Sequence, residues 1–312
     1  MNFGFVRVAA AVPQVQVGNC SFNVQQIESL INEAASQGVE IIGFPELSIT
    51  AYTCGDLFFQ QTLIKEAERA LSQLIDKTQK LPILVIVGAP VILGERLFNA
   101  AIVFQYGKIL AVIPKTHLPN YNEFYEKRWF SSSIEESETE ISICGKIVPF
   151  GSNILLKSGK VCIGVEICED LWQPIPPSST LALQGANILF NLSASNEIAE
   201  KNNYRRVLVE QQSARCVSGY VYASAGIGES STDLVYSGSG FICENGTLLK
   251  ESPRFSLENE LIISEIDIDR LHIDRRKNNS FCCNFSYSIL PQIVNFQLIQ
   301  SDDFSIDRKS VV

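Results

Sequence analysis

Residues 161–172 read Val-Cys-Ile-Gly-Val-Glu-Ile-Cys-Glu-Asp-Leu-Trp, an apolar run that ends at a cysteine, two acids and a tryptophan. The run up to Ile167 is broken only by Glu166 and is typical of a buried β-strand. Cys168 follows it directly, so we predict that its thiol lies where a strand ends and the chain turns. Many α/β enzymes present a nucleophile at such a turn. The alternative is a cysteine that only fills core space, which is the commoner fate of a single thiol.

Composition places the chain among globular proteins, with one large domain followed by a tail. Its 312 residues are 46% hydrophobic and 19% charged, and the net charge of −9 disfavours nucleic acid or an anionic membrane as a partner. The longest apolar run, residues 81–93, is too short to span a bilayer. Nine scattered cysteines without a CxxC pair, and two distant histidines, disfavour a disulfide framework and a structural zinc site. A reducing cytoplasm is therefore the predicted compartment.

Apolar strands alternate with amphipathic helices along most of the chain, and hairpins follow. The predicted strands are 6–12, 39–44, 83–88, 98–105, 109–113, 153–156, 161–167, 187–192, 220–225, 235–243 and 261–266, and the predicted helices are 23–36, 57–77, 179–184 and 201–217. The polar residues 131–142 are predicted to form a surface loop. This order of elements predicts an α/β sandwich with mixed sheets.

Two further strands end in the same way as the strand before Cys168. A proline and then Glu46 follow one of them, and a proline and then Lys115 follow the other. A buried carboxylate can act as a general base, and a fixed lysine can stabilise an oxygen that becomes negative. Taken singly, Glu46 could be a helix cap or a solvated acid, and Lys115 could be a surface lysine. His117 would allow a cysteine–histidine pair, but it lies in a loop and ranks below the other two.

The order Glu46, Lys115, Cys168, each at a strand end, resembles the catalytic triad of the carbon–nitrogen hydrolase (nitrilase) superfamily. The resemblance covers about residues 5–270 and implies an α-β-β-α sandwich with two mixed sheets. Flanking residues narrow it to the glutaminase domain of the glutamine-dependent NAD synthetases. The motifs that carry this narrower resemblance are PELSITAYTCGDLF at 45–58, KTHLPNYNEFYEKR at 115–128, EICEDLW at 166–172 and NLSAS at 191–195.

The resemblance implies a catalytic role for four of these residues. Glu46 would take the proton from Cys168, whose thiolate attacks an amide carbonyl. Lys115 and a backbone N–H just after the cysteine would stabilise the oxyanion. A second carboxylate near the lysine is expected at Glu123, with Glu126 as the fallback.

The resemblance also implies contacts to the substrate. The residues expected to make them are Tyr52, Tyr121, Glu169, Ser195 and Lys201. A carboxylate suits the ammonium group of an amino acid, and phenols and hydroxyls suit its polar ends. Tyr52 and Tyr121 could instead be interfacial core aromatics, and Glu169 could cap the following turn. Lys201 departs from the family pattern, in which a glycine commonly precedes the lysine.

The expected organisation is a glutaminase domain at residues 1–270 and a linker at 271–312 that leads towards an absent synthetase domain. L-glutamine is the expected substrate, and its ammonia would serve ATP-dependent NAD synthesis from deamido-NAD on the synthetase domain. No cofactor or metal is expected in this domain, and ATP and magnesium are expected only in the synthetase domain. The resemblance also implies a homo-oligomer, and the net charge and the short apolar runs predict no nucleic-acid or membrane partner.

Two other interpretations stay open. The chain could be a stand-alone amidase or carbamoylase of the superfamily that acts on another small amide. It could also be a scaffold whose thiol is inert and which only contacts a synthetase domain. Alkylation of Cys168 and a comparison of amide substrates would distinguish these possibilities.

Overall fold

The computed structural model describes residues 4–281 and 290–298 and contains two mixed β-sheets. The helices are α1 Cys20–Ser36, α2 Gln61–Thr78, α3 Pro177–Leu183, α4 Lys201–Cys216 and α5 Ile268–Lys277. The strands are β1 Phe5–Val12, β2 Ile41–Gly43, β3 Leu84–Leu93, β4 Arg96–Gln105, β5 Lys108–Pro114, β6 Asn120–Tyr121, β7 Phe124–Tyr125, β8 Glu140–Ile143, β9 Lys146–Pro149, β10 Ile154–Ser158, β11 Val161–Ile167, β12 Ile188–Ser193, β13 Gly219–Ser224, β14 Gly240–Glu244, β15 Thr247–Glu251, β16 Glu260–Asp267 and β17 Gln292–Asn295. Short 3₁₀ helices lie at Tyr52–Phe59, Glu126–Arg128, Ser133–Glu135 and Cys168–Trp172. None of the helices in the described ranges combines the length and apolar character that a bilayer crossing requires.

Each large sheet has a parallel centre and antiparallel neighbours. The first has six strands in the order β16-β1-β2-β3-β4-β5, and β1, β2 and β3 are parallel. The second has seven strands in the order β15-β14-β13-β12-β11-β10-β17, and β11, β12 and β13 are parallel. The central strands are apolar almost throughout because they are covered on both faces.

The helices cover the outer faces of the two sheets and complete four layers. Helices α1 and α2 pack on the first sheet in one core cluster. A second cluster, which includes Val8 and Ile86 from the first sheet and Ile163 and Phe190 from the second, fills the space between the sheets. Helices α3 and α4 pack on the outer face of the second sheet. The structure therefore confirms the predicted α-β-β-α sandwich.

Several predicted elements differ from the structure, and the strand predicted at 83–88, for example, continues to Leu93. The strand predicted at 235–243 begins only at Gly240, and the preceding residues form a loop with an isolated bridge between Asn196 and Tyr236. The helix predicted at 57–77 begins at Gln61, because the extended backbone of Gln60 (φ −86°, ψ 116°) separates it from the 3₁₀ segment that ends at Phe59. The polar loop predicted at 131–142 contains a 3₁₀ turn and most of strand β8.

The segment 271–312, predicted to be a linker, contains regular structure in its described part. Helix α5 runs from Ile268 to Lys277, and the side chain of Asp267, its N-cap, accepts the backbone N–H of Arg270. Strand β17 pairs in parallel with β10 at the edge of the second sheet. Residues 282–289 and 299–312 lie outside the described residues. Packed structure thus extends beyond residue 270, and the linker role stays a prediction.

Four strand ends meet at one edge of the sandwich. Strand β5 is antiparallel to β4, which is antiparallel to β3, so β2 and β5 end at the same edge of the first sheet. Glu46, shortly after β2, donates its backbone N–H to the carbonyl of Ser193 at the end of β12, at 3.3 Å. Lys115 follows β5, and Cys168 follows β11. The three predicted catalytic residues therefore reach one place from both sheets.

Candidate active site

Lys115 lies at the centre of a buried charge cluster. Its side chain is fully buried, and Nζ donates to Oε1 of Glu46 at 2.5 Å and to Oε1 of Glu126 at 2.7 Å. Burial alone would lower the pKa of this ammonium, but the negative charges of Glu126 and Glu46 outweigh burial and hold its pKa well above the usual value. Lys115 is therefore a fixed cation of the kind that can stabilise an oxyanion.

Glu46 is held by one of its two carboxylate oxygens. Oε1 accepts hydrogen bonds from Lys115 and, at 2.6 Å, from Nδ2 of Asn99. The other oxygen, Oε2, is buried and has no hydrogen-bond partner among the residues that the structure describes. A carboxylate with one oxygen held and the other unoccupied can accept a proton from a neighbouring group, which is the task of a general base.

Cys168 occupies a strained turn directly after β11. Its φ is 44°, a left-handed conformation that is uncommon for residues other than glycine, and the residue is only 6% exposed. Burial, and then the charge of Glu46, raise the pKa of the thiol to about 12, although Lys115 acts in the opposite direction. The thiol is therefore protonated at neutral pH and requires a base when it reacts.

The second carboxylate beside Lys115, after Glu46, is Glu126, which corrects the expectation that Glu123 takes this place. Glu126 is buried, and its Oε1 accepts from Lys115 and, at 2.9 Å, from the hydroxyl of Tyr52. Burial raises its pKa in spite of the neighbouring ammonium. Glu123 lies in the turn between β6 and β7, and it accepts a hydrogen bond from Nδ2 of Asn196 at 2.5 Å.

The residues predicted to contact the substrate are each held by a hydrogen bond within the protein. The hydroxyl of Tyr121 donates to Oε2 of Glu169 at 2.8 Å, and burial raises the pKa of that carboxyl. Tyr52 belongs to the charge cluster through Glu126. Ser195 is buried after β12, and its backbone N–H donates to Oγ of Ser224 at 3.1 Å.

Lys201 lies at the first turn of α4, over two aromatic rings. Its Nζ is 5.3 Å from the ring centroid of Trp172 and 5.8 Å from that of Phe124, and it donates to Oδ1 of Asn196. Burial lowers the pKa of this lysine. Glu200 precedes it with a φ of 65°, a conformation that glycine adopts without strain. Glu200 therefore keeps the left-handed backbone that a glycine would adopt before the lysine, at a cost in backbone strain.

Asn99 is a site residue that the sequence motifs do not include. It is buried in β4, where its side chain donates to Glu46 and its backbone carbonyl accepts the backbone N–H of Lys115 at 2.8 Å. It therefore holds the carboxylate and the lysine at once. The signal in the sequence is an amide within the apolar residues 98–104, because a buried polar side chain must find a hydrogen-bond partner.

The fold and the three strand ends define a class of protein, and the sequence agrees with it. The carbon-nitrogen hydrolase family matches residues 7–276. The chain belongs to the carbon–nitrogen hydrolase family.

Within this class, the chain is similar to glutamine-dependent NAD(+) synthetases. The enzyme of Mycobacterium tuberculosis is 38% identical over 290 residues, which are 90% of this chain and 43% of that protein. The human enzyme is 29% identical over 269 residues, or 83% of this chain and 38% of that protein. The crystal structure of the Cytophaga hutchinsonii enzyme superposes with a TM-score of 0.76 at 28% identity, over 84% of this chain and 43% of that one. The chain therefore spans less than half the length of these relatives.

Proposed function

We propose that this chain hydrolyses the side-chain amide of L-glutamine through a thioester on Cys168. The ammonia would pass to an ATP-dependent synthetase part of a longer protein and be used to make NAD from deamido-NAD. The observation that carries the proposal is the buried Lys115 ammonium, which is held by the side chains of Glu46 and Glu126. Its charge acts on the thiol of Cys168, which lies in a strained turn. The relatives' names support the choice of glutamine and of NAD synthesis.

The mechanism uses Glu46 twice. Its Oε2 accepts the thiol proton, and the thiolate of Cys168 attacks the amide carbon. The carbonyl oxygen becomes negative and is stabilised by Lys115 and by the backbone N–H of Glu169. When the carbon–nitrogen bond breaks, Glu46 gives its proton to the departing ammonia. Glu46 then activates the water that hydrolyses the γ-glutamyl thioester and releases glutamate.

Opposite charges near the thiol suit the amino-acid end of glutamine. Glu169, supported by Tyr121, would hold the α-ammonium group. Lys201, which acts electrostatically on Glu169, would hold the α-carboxylate between its two aromatic rings. Tyr52 would contribute through its hydrogen bond to Glu126, and Ser195 would contact the substrate at the end of β12.

The proposal extends to the cofactors, the compartment and the oligomeric state of the protein. No cofactor is proposed for residues 1–270, and ATP and magnesium would be bound by the synthetase part. We place the protein in the cytoplasm as a homo-oligomer, in keeping with its scattered cysteines and with the family resemblance.

L-Glutamine is expected to protect Cys168 from a chloroketone analogue of glutamine. The adduct is located by peptide mass spectrometry, a measurement that does not depend on a synthetase part for turnover. L-Asparagine, which is one methylene shorter, should protect at least about tenfold more weakly, and propionamide, which lacks both charged groups, should not protect. Ammonia release from the same three amides provides the second measurement. Equal turnover of all three would favour a broad amidase, and an unlabelled Cys168 would contradict catalysis by this thiol.

Substitution of the two candidate carboxylates should separate their roles. Glu126→Gln keeps the shape of the side chain but removes a charge beside Lys115, so kcat for ammonia release should fall about 100-fold with KM little changed. Glu123→Gln should alter KM instead and leave kcat within about threefold, because Glu123 contacts Asn196, the partner of Lys201. Steady-state kinetics of both variants test this assignment. A loss of kcat in Glu123→Gln that equals the loss in Glu126→Gln would contradict it.

A further inference from the structure

Asp170 is a buried carboxylate that has no part in the mechanism above. It is 1% exposed and lies two residues after Cys168, in the same 3₁₀ turn. Its two oxygens accept three backbone N–H groups. Oδ2 accepts from Ile167 at 3.0 Å and from Thr116 at 3.4 Å, and Oδ1 accepts from His117 at 2.7 Å.

These three donors come from both halves of the sandwich. Ile167 is the last residue of β11, immediately before Cys168, and belongs to the second sheet. Thr116 and His117 follow β5 of the first sheet, immediately after Lys115. One carboxylate therefore joins the turn that carries the thiol to the turn that carries the ammonium.

Capping of the 3₁₀ turn explains only part of this arrangement. A side chain that accepts the N–H of Ile167, three residues earlier, is a local contact of the kind found at helix starts. The contacts to Thr116 and His117 bridge 54 and 53 residues and contribute nothing to the local turn. Both oxygens of Asp170 accept here, whereas an amide offers one acceptor oxygen and would turn its NH₂ group towards a backbone N–H, so a carboxyl group suits this link better than an amide. Burial raises the pKa of Asp170 to about 8, although the N–H groups of Ile167 and His117 act in the opposite direction.

We propose that Asp170 is a positioning residue that sets the distance between the Lys115 ammonium and the Cys168 thiol. The role rests on the proposed function, in which the thiol attacks an amide and the ammonium stabilises the oxyanion. The distance matters because a misplacement of reacting groups by about 1 Å can lower a rate about 100-fold.

Glu166 offers a matched control on the other side of Cys168. It lies two residues before the cysteine, and it is a buried carboxylate like Asp170. Its oxygens accept the backbone N–H of Ser178 at 2.8 Å and the hydroxyl of Tyr220. These partners belong to α3 and β13, on the outer side of the second sheet, and so leave the Lys115 turn untouched.

The test compares Asp170→Asn with Glu166→Gln by two alkylating reagents. A chloroketone analogue of glutamine passes through a tetrahedral oxyanion, whereas iodoacetamide reacts by direct displacement at carbon. In Asp170→Asn, the chloroketone rate at Cys168 should fall about 10- to 100-fold while the iodoacetamide rate stays within about threefold. In Glu166→Gln, the ratio of the two rates should equal that of the wild type, even if the unfolding midpoint falls. Turnover should show the same pattern in Asp170→Asn, with lower kcat and little change in KM.

A second variant reaches the same contact from the other side. His117→Pro removes the N–H that makes the shortest of the three hydrogen bonds to Asp170 and leaves the carboxyl group unchanged. It should therefore lower the chloroketone rate at Cys168 more than the iodoacetamide rate. This variant replaces Asp170→Asn in the test if Asp170→Asn does not fold. The positioning role is overturned if the ratio of the chloroketone rate to the iodoacetamide rate is unchanged in a folded Asp170→Asn or His117→Pro variant. It is also overturned if Glu166→Gln lowers this ratio equally. Either result would leave the proposed function intact. A wild-type Cys168 that reacts no faster with the chloroketone than Cys162 does overturns the proposed function, and the positioning role with it.

Discussion

Replacement of Cys168 by alanine is expected to lower ammonia release from L-glutamine by about five orders of magnitude, to the background of the assay. The thioester needs the sulfur atom, and its neighbours Glu46 and Lys115 act as a unit with it, so neither can replace it. Binding of glutamine should persist, because the groups proposed to hold its α-ammonium and α-carboxylate, Glu169 and Lys201, are unchanged. Ammonia measured by a coupled assay, together with glutamine binding by calorimetry, tests both statements.

Cys162 provides the control for this variant. It lies in β11, six residues before Cys168, and is a buried thiol whose pKa burial also raises, to about 11. Cys162→Ala should keep turnover within about threefold of the wild type, because this thiol lies away from the charge cluster and packs against the outer helices. Retention of more than a few per cent of activity by Cys168→Ala, or a comparable loss in Cys162→Ala, would refute the assignment of the nucleophile.

Replacement of Glu46 by glutamine is expected to lower kcat by about 10³- to 10⁴-fold with KM near the wild-type value. Glutamine can still accept hydrogen bonds from Asn99 and Lys115 through its remaining oxygen, so the local structure should persist. What is lost is the oxygen that accepts the thiol proton. Because the pKa of Cys168 is raised to about 12, the thiolate does not form without this base. Steady-state kinetics and the chloroketone rate both report the loss.

Glu40 lies just before the same strand, β2, and serves as the matched control for Glu46. It is buried, and it accepts the backbone N–H of Arg7 at 3.0 Å. Burial raises its pKa to about 7, so glutamine resembles the protonated form that this carboxyl readily adopts. Glu40→Gln should therefore leave turnover unchanged. If Glu46→Gln keeps a tenth or more of the wild-type kcat, Glu46 is not the base.

Much of the architecture could be predicted from local patterns. Apolar runs, helical periodicity and turn residues are short-range signals, and they place most strands and helices within a few residues of their observed bounds. The strand ends at Glu46, Lys115 and Cys168 were visible for the same reason. The strand expected at 235–243 was wrong at its start, because Tyr236 is of a residue type that strands favour but lies in a loop, where its ring packs against that of Tyr52.

The choice between Glu123 and Glu126 could not be made from spacing. Both lie within a short distance of Lys115 along the chain, and either could face it in an extended or a helical segment. In the structure β6 and β7 form a hairpin through a turn at Asn122, whose φ is 49°, and the backbone N–H of Glu126 donates to the carbonyl of Pro119 at 3.1 Å. This closure brings Glu126 to the ammonium and leaves Glu123 in the turn.

The sequence by itself determined which chemical groups stand at the strand ends, because apolar runs, prolines and the order of the motifs are all local features of the chain. Only the tertiary structure decided which groups hold them. Asn99 reaches Glu46 across 53 residues, and Asp170 reaches His117 across another 53. Such contacts arise when the two sheets pack and bury polar side chains that must then find partners. The strand ends thus predicted the proposed nucleophile, base and cation, and the packing of the sheets showed that Asn99, Glu126 and Asp170 hold them.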